Sequence, residues 1–151
     1  MQEIERKFLV KNDDYKLEAA RVHHIVQGYL NRDPQRTVRV RIKDGSAFLT
    51  IKGASNQTGT TRFEWEKEIP IEEARALLQL AEPGVIEKVR YDIPVNDHLF
   101  FEVDEFLDEN EGLTLAEIEL PDEHTSFDKP AWLGEEVTGN PAYYNSKLSR
   151  R

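Results

Sequence analysis

The chain contains no cysteine, which removes disulfides, thiolate metal sites and cysteine nucleophiles together. No apolar run approaches the roughly 18 residues a transmembrane helix needs. The first residues also lack the basic, apolar and small-residue succession of a secretory signal. A basic surplus is missing too: 20 Lys and Arg stand against 29 Asp and Glu, for a net charge of −9. That balance argues against a non-specific electrostatic grip on nucleic acid, while leaving a local basic cluster free to hold a small anion. The expectation is a soluble, cytoplasmic chain with no membrane or nucleic-acid partner. Its 151 residues suit one domain that can bury a real core.

What the chain has in quantity is alternation. In Met1–Val10, period 2 puts Glu3, Glu5 and Lys7 on one face and Ile4, Arg6 and Phe8 on the other. A face of two carboxylates and an ammonium is no dry core face, because unpaired buried charge is costly. It looks either into water or at a ligand. Carboxylates two residues apart sit about 6–7 Å apart along a strand, close enough to share one hard divalent cation. The same alternation recurs in Thr37–Lys43, where Arg39, Arg41 and Lys43 oppose Val38, Val40 and Ile42. Asp44-Gly45 is a hairpin signal, and Ala47–Lys52 returns with Phe48, Thr50 and Lys52 opposite Leu49 and Ile51.

Arg62–Ile69 sets Glu64, Glu66 and Glu68 against Phe63, Trp65 and Ile69; Val85–Ile93 carries Lys88 and Arg90 on one side; Leu99–Phe106 alternates Glu102 and Asp104 with Phe101 and Val103; and Thr114–Leu120 alternates Glu117 and Glu119 with Ala116 and Ile118. Val22–Leu30 reads as a strand interrupted by Gly28, with its adjacent histidines facing opposite ways. The spacing predicts one good helix over 71–80, opened by Pro70 and acids in its first turn. A short helix is expected over 15–20. Beyond Pro121 the pattern gives only turns and short helices, at 126–129, 132–134 and 142–151.

An antiparallel sheet covered on one side by helices would also leave a polar outer face. Two features point elsewhere. The polar positions are nearly all Arg, Lys, Glu or Asp, and their signs segregate by strand. A sheet closed on itself with that face inward makes a charged tunnel, where arginine pairs clamp phosphate oxygens and carboxylate pairs hold Mg2+ or Mn2+.

The ordered set Glu3-x-Glu5-x-Lys7, Arg39-x-Arg41, Lys52, Glu64-x-Glu66, Lys88-x-Arg90, Glu102 and Glu117-x-Glu119, with Tyr143-Tyr144-Asn145-Ser146 near the end, resembles the CYTH, or triphosphate tunnel metalloenzyme, superfamily in its short bacterial form. The resemblance covers nearly the whole chain. It implies a mainly β fold, a closed antiparallel barrel of about eight strands with a few peripheral helices. It implies that Glu3, Glu5 and Glu119, with Glu117 and Glu102 beside them, bind Mg2+ or Mn2+. It implies that Lys7, Arg39, Arg41, Lys52, Lys88 and Arg90 hold a triphosphate. Glu64 and Glu66 serve the attacking water or a second metal, Tyr29 is a tunnel tyrosine, and Lys147 matches a C-terminal lysine that longer relatives use on substrate.

The implied activity is metal-dependent triphosphate hydrolysis, with inorganic tripolyphosphate favoured by the short length. Thiamine triphosphate hydrolysis, an adenylate cyclase using the same residues, and a non-enzymatic polyphosphate-binding module stay open. So does a homodimer through apolar residues near Trp132, whose commoner use is to cap a barrel.

Overall fold

The computed structural model describes residues 1–148. Nine strands form one antiparallel sheet: β1 (Gln2–Val10), β2 (Arg21–Asn31), β3 (Arg36–Lys43), β4 (Ser46–Ser55), β5 (Thr61–Ile69), β6 (Ile86–Pro94), β7 (Phe100–Phe106), β8 (Thr114–Glu119) and β9 (Leu133–Glu136). Their order is β5-β4-β3-β2-β6-β7-β8-β1-β9, and β1 also pairs with β5. That last pairing closes eight strands into a barrel. β1 divides its free side: Gln2, Glu3 and Ile4 lie opposite Phe63, Arg62 and Thr61 of β5, while Phe8 and Val10 pair with β9. The helices are α1 (Ile71–Leu78) and α2 (Asn145–Leu148).

Local chemistry explains the joints. Asp44 takes φ 54° in the Asp-Gly turn joining β3 and β4, a backbone region that short polar residues tolerate best. Gly28 leaves room for α1: a Cβ there would lie 3.0 Å from the Ala81 Cβ and 3.1 Å from a Leu78 methyl. α1 lays Ala74 on Val40 and Ala47, with Ile42, Leu49, Leu77 and Leu78 around them.

The larger apolar layer also lies outside the barrel. Phe8, Phe101, Val103, Ala116 and Ile118 point outward from β1, β7 and β8 and are covered by Tyr15, Leu120, Trp132 and Leu133. Trp132 meets Phe101 edge to face at 5.3 Å between ring centres, and its indole N–H donates to Glu18 at 2.8 Å. Full burial of such side chains contributes about 1.5–3 kcal/mol each. Trp132 therefore caps the barrel wall and is not part of an exposed apolar patch.

At one end the inward face turns apolar. Leu9, Ile86, Phe106 and Leu115, each two residues along its strand from an inward charge, gather with Leu148 of α2 and Tyr143. The tunnel thus has an apolar floor beneath a charged interior.

Several expectations needed correction. In the 132–134 region the expected turn is present at Trp132, but Leu133 and Gly134 open strand β9; four residues with a glycine carry no readable alternation, and the strand covers the part of β1 that β5 leaves unpaired. The segment 126–129 has no helix. The 15–20 helix is a 3-10 turn at Asp14–Glu18, and the predicted 71–80 helix stops at Leu78. Of the expected helix over 142–151, residues 145–148 are helical and 149–151 lie outside the described residues.

Candidate active site

A cavity of about 260 Å³ runs through the charged part of the barrel. Period 2 places its lining. From β1 come Glu3, Glu5 and Lys7; from β2, Tyr29; from β3, Arg39 and Arg41; from β4, Lys52; from β5, Glu64 and Glu66; from β6, Arg90; from β7, Glu102; from β8, Glu117 and Glu119. These are all but two of the residues expected there.

The first exception is Lys88, fully buried below the cavity lining, with Nζ 2.7 Å from Asp104 and 3.0 Å from Asn145 Oδ1. The second is Lys147, which is exposed on α2 and does not reach the cavity. The same C-terminal segment instead offers Tyr144, Asn145 and Ser146 to the lining. Lys43 and Arg62 also line it; Lys43 stands on the charged face that alternation assigns to β3, whereas Arg62, two residues before Glu64, is not among the residues expected there.

Most cations are already paired. Lys7 Nζ lies 3.2 Å from Glu117, donates to the Tyr143 carbonyl at 2.9 Å and stands over the Tyr144 ring. Lys52 bridges Glu3 at 2.9 Å and Glu64 at 3.4 Å. Arg39 reaches Thr50 at 3.2 Å and Glu66 at 3.6 Å. Arg90 grips Asp104 with two N–H donors at 2.8 and 2.9 Å and Glu102 with a third at 3.1 Å. Asp104 was not among the expected site residues, yet it is the anion on which Lys88 and Arg90 converge.

Burial penalises the Lys88 ammonium, and Arg90 and Arg41 repel it, so its pKa falls to about 7 despite Asp104. One carboxylate is shared between two cations, Lys88 and Arg90. Burial would raise Asp104 as well, but Arg90 and Lys88 overcome that and hold it well below the carboxylate range. Arg41, also desolvated and near Arg39 and Arg90, is lowered to about 9.

The acids are arranged differently. Glu5 lies opposite Glu119 across β1 and β8, and Glu102 opposite Glu117 across β7 and β8. Like charges directly opposite one another destabilise a sheet. Burial, then Glu117 and Glu3, push the Glu5 carboxyl well above its ordinary value; burial followed by Glu3 and Glu102 raises Glu119. Among the described residues, no three such groups are gathered in metal-binding geometry; Glu3 pairs with Lys52 and Glu117 with Lys7. The donor set nonetheless fits a hard divalent cation: all carboxylate oxygen, and mutually repelling when ionised.

The CYTH domain model matches residues 1–150. The chain belongs to the CYTH domain family. Among its relatives, an Acetivibrio thermocellus protein named inorganic triphosphatase is 51% identical over 148 residues, 97% of this chain and 92% of that protein. A Nitrosomonas europaea protein of the same name is 34% identical over 154 residues, 99% of this chain and 97% of its own length. The crystal structure of the inorganic triphosphatase NE1496 superposes with a TM-score of 0.69 at 32% identity, covering 99% of this chain and 98% of that one. The CYTH barrel and the charged cavity inside it are thus present together.

Proposed function

We propose that this CYTH barrel is an inorganic triphosphatase: it hydrolyses a P–O–P anhydride of tripolyphosphate with the help of Mg2+ or Mn2+. The carrying observation is a closed barrel whose buried interior sets repelling carboxylates opposite arginines and lysines, in a chain half identical to a protein named for that activity. Tripolyphosphate is a polyanion whose divalent complex carries both signs of charge, and the two walls offer both complements.

Glu3, Glu5 and Glu119 are the groups to hold the cation, with Glu117 and Glu102 beside them. When bound, the ion supplies Lewis-acid stabilisation of charge on phosphate oxygens. Arg39, Arg41, Lys52 and Arg90 fix the phosphate chain, and Lys7 stands between the acidic wall and Tyr144. Positioning and charge stabilisation do most of the work in phosphoryl transfer, so no strong protein nucleophile is required. Glu66 is exposed and Glu64 half-buried; these carboxylates are suited to orient the attacking water and accept its proton. A water P–O bond forms, the bridging P–O bond breaks, and phosphate and pyrophosphate leave. Tyr29 lines the wall beside Arg39 and limits the width of the phosphate channel. Lys88 acts from below, through Asp104.

The test is phosphate release from tripolyphosphate with Mg2+ or Mn2+, with ATP and thiamine triphosphate in parallel and cyclic AMP assayed in the ATP sample. Metal-dependent release from tripolyphosphate that Glu5→Gln abolishes supports the reading. Cyclic AMP without release from tripolyphosphate would make the protein a cyclase. Binding without turnover of any substrate would make it a binding module.

A further inference from the structure

Gln27 sits on the inner face of β2 and is fully buried, yet it carries no charge and belongs to none of the acid or base sets. Its amide is engaged at both ends. The Oε1 atom accepts from Arg41 Nε at 2.9 Å, and Nε2 donates to Asn145 Oδ1 at 3.3 Å. The same Asn145 oxygen accepts from Lys88, which continues to Asp104 and so to Arg90. A buried chain of polar contacts therefore links α2 to two guanidiniums in the cavity wall.

Arg41 differs from its neighbours. Arg39, Arg90, Lys7 and Lys52 each have a carboxylate within ion-pair distance, whereas Arg41 has none among the described residues. Arg41 is half-buried; a guanidinium partly withdrawn from water with no paired carboxylate is costly, and a passing anion relieves that cost. With Nε held by Gln27, the four terminal N–H donors have no partner among the described residues and can form a fork toward an anion.

We propose that Gln27 is a positioning residue that aims the uncompensated Arg41 at the substrate's phosphate, and that Asn145 sets Gln27 in turn, so that the C-terminal segment fixes the geometry of the anion receptor. This rests on the triphosphatase reading. A carboxylate at position 27 could orient Arg41 equally well but would quench its charge. An amide orients without neutralising.

That distinction sets the experiment. Gln27→Glu, Gln27→Met, Asn145→Ala and the Gln27→Met/Asn145→Ala double variant are compared for kcat and KM on tripolyphosphate with Mg2+, and for calorimetric binding of tripolyphosphate without divalent ions. Thermal unfolding identifies the variants that are folded. Gln27→Glu is expected to raise KM by ~30-fold or more, because a fixed anion now competes for Arg41. Gln27→Met, which preserves volume but offers no acceptor, lowers kcat/KM by ~10-fold, the scale of one charge-assisted hydrogen bond. Asn145→Ala gives a smaller loss, about threefold, consistent with an indirect neutral contact. The double variant falls short of the product of the two single effects, because both act through Arg41.

Gln27→Glu with KM within twofold of wild type overturns the proposal, as does Gln27→Met with unchanged kinetics and binding. If Gln27→Met does not fold, Gln27→Glu and Asn145→Ala decide it. If the wild-type protein binds tripolyphosphate without hydrolysing it, the triphosphatase reading falls while the calorimetric comparison still judges Gln27. Absence of binding as well overturns both.

Discussion

Glu5 and Asp104 are carboxylates on the inner face of the same barrel, the first half-buried and the second buried, and they sit in opposite electrostatic conditions. Glu5 is surrounded by other acids, and burial together with Glu117 and Glu3 drives it toward its neutral form. Asp104 is surrounded by Lys88 and Arg90 and stays ionised. The floor around Asp104 is neutralised from within the chain, whereas the wall around Glu5 is not. A group satisfied by its own chain is structural; a group left in conflict is shaped for something that arrives. Arg41, with no carboxylate within ion-pair distance among the described residues, is the basic counterpart of Glu5.

The sharpest way to break this contrast is Glu5→Gln. Hydrolysis of tripolyphosphate should fall by ~1000-fold through loss of a proposed metal ligand. In the absence of metal, the same variant should be more stable than wild type by about 1 kcal/mol, because a buried like-charge conflict is relieved. Saturating Mg2+ at about 100 times its Kd should stabilise wild type by about 2.7 kcal/mol and the variant far less. Denaturant melts with and without the ion read both signs, and a metal-free Glu5→Gln less stable than wild type would break the comparison.

Asp104→Asn should behave oppositely. It strands Lys88 and Arg90 without their shared anion and should cost ~3–5 kcal/mol of stability, visible as a lowered urea midpoint. Loss of activity here follows loss of fold.

The third prediction concerns pH. Lys88 is lowered from 10.5 to about 7 in the folded chain, so between these values the unfolded chain binds the extra proton. Stability contributed at this site therefore rises with pH across that window. Lys88→Met removes the term, and the pH dependence of its unfolding free energy should be flatter than wild type from about 7 to 10.5. Parallel curves would show that Lys88 titrates normally.

The smallest effect is expected at Lys147. Exposed on α2 and away from the cavity, its replacement by Ala should change KM by less than about twofold, the range of ordinary surface substitutions.

Which of these residues could be read beforehand depends on what period 2 encodes. Alternation assigns a face, and every strand with a charged face did turn it inward. Alternation does not assign depth along the barrel. Lys88 and Arg90 share a face and differ by one step, yet one lies beneath the lining and the other in the cavity. Nor does it reveal partners: Asp104 looked like one more tunnel acid until the β6–β7 register set it beside Arg90. Gln27 was passed over because a search for charge does not stop at an amide. β9 and the C-terminal segment were hidden for another reason, since their positions come from what β1 and the barrel floor leave uncovered. Tyr144 and Asn145 stood in a readable motif, but only packing brought them to the cavity in place of Lys147.

The divided pairing of β1 bears on how the molecule is made. This strand supplies Glu3, Glu5 and Lys7, and its partners are β5, β8 and β9; Arg6 meets Glu136 across 130 positions. During synthesis β1 emerges long before β8 and β9 exist, while hairpins such as β3–β4 can form at once. Non-local pairings of this kind slow folding and leave a strand exposed in the meantime. The wall that pairs β1 with β8 is therefore the last part of the barrel that can assemble, and a chain stalled before residue 114 would lack Glu117 and Glu119, leaving Lys7 without its ion-pair partner.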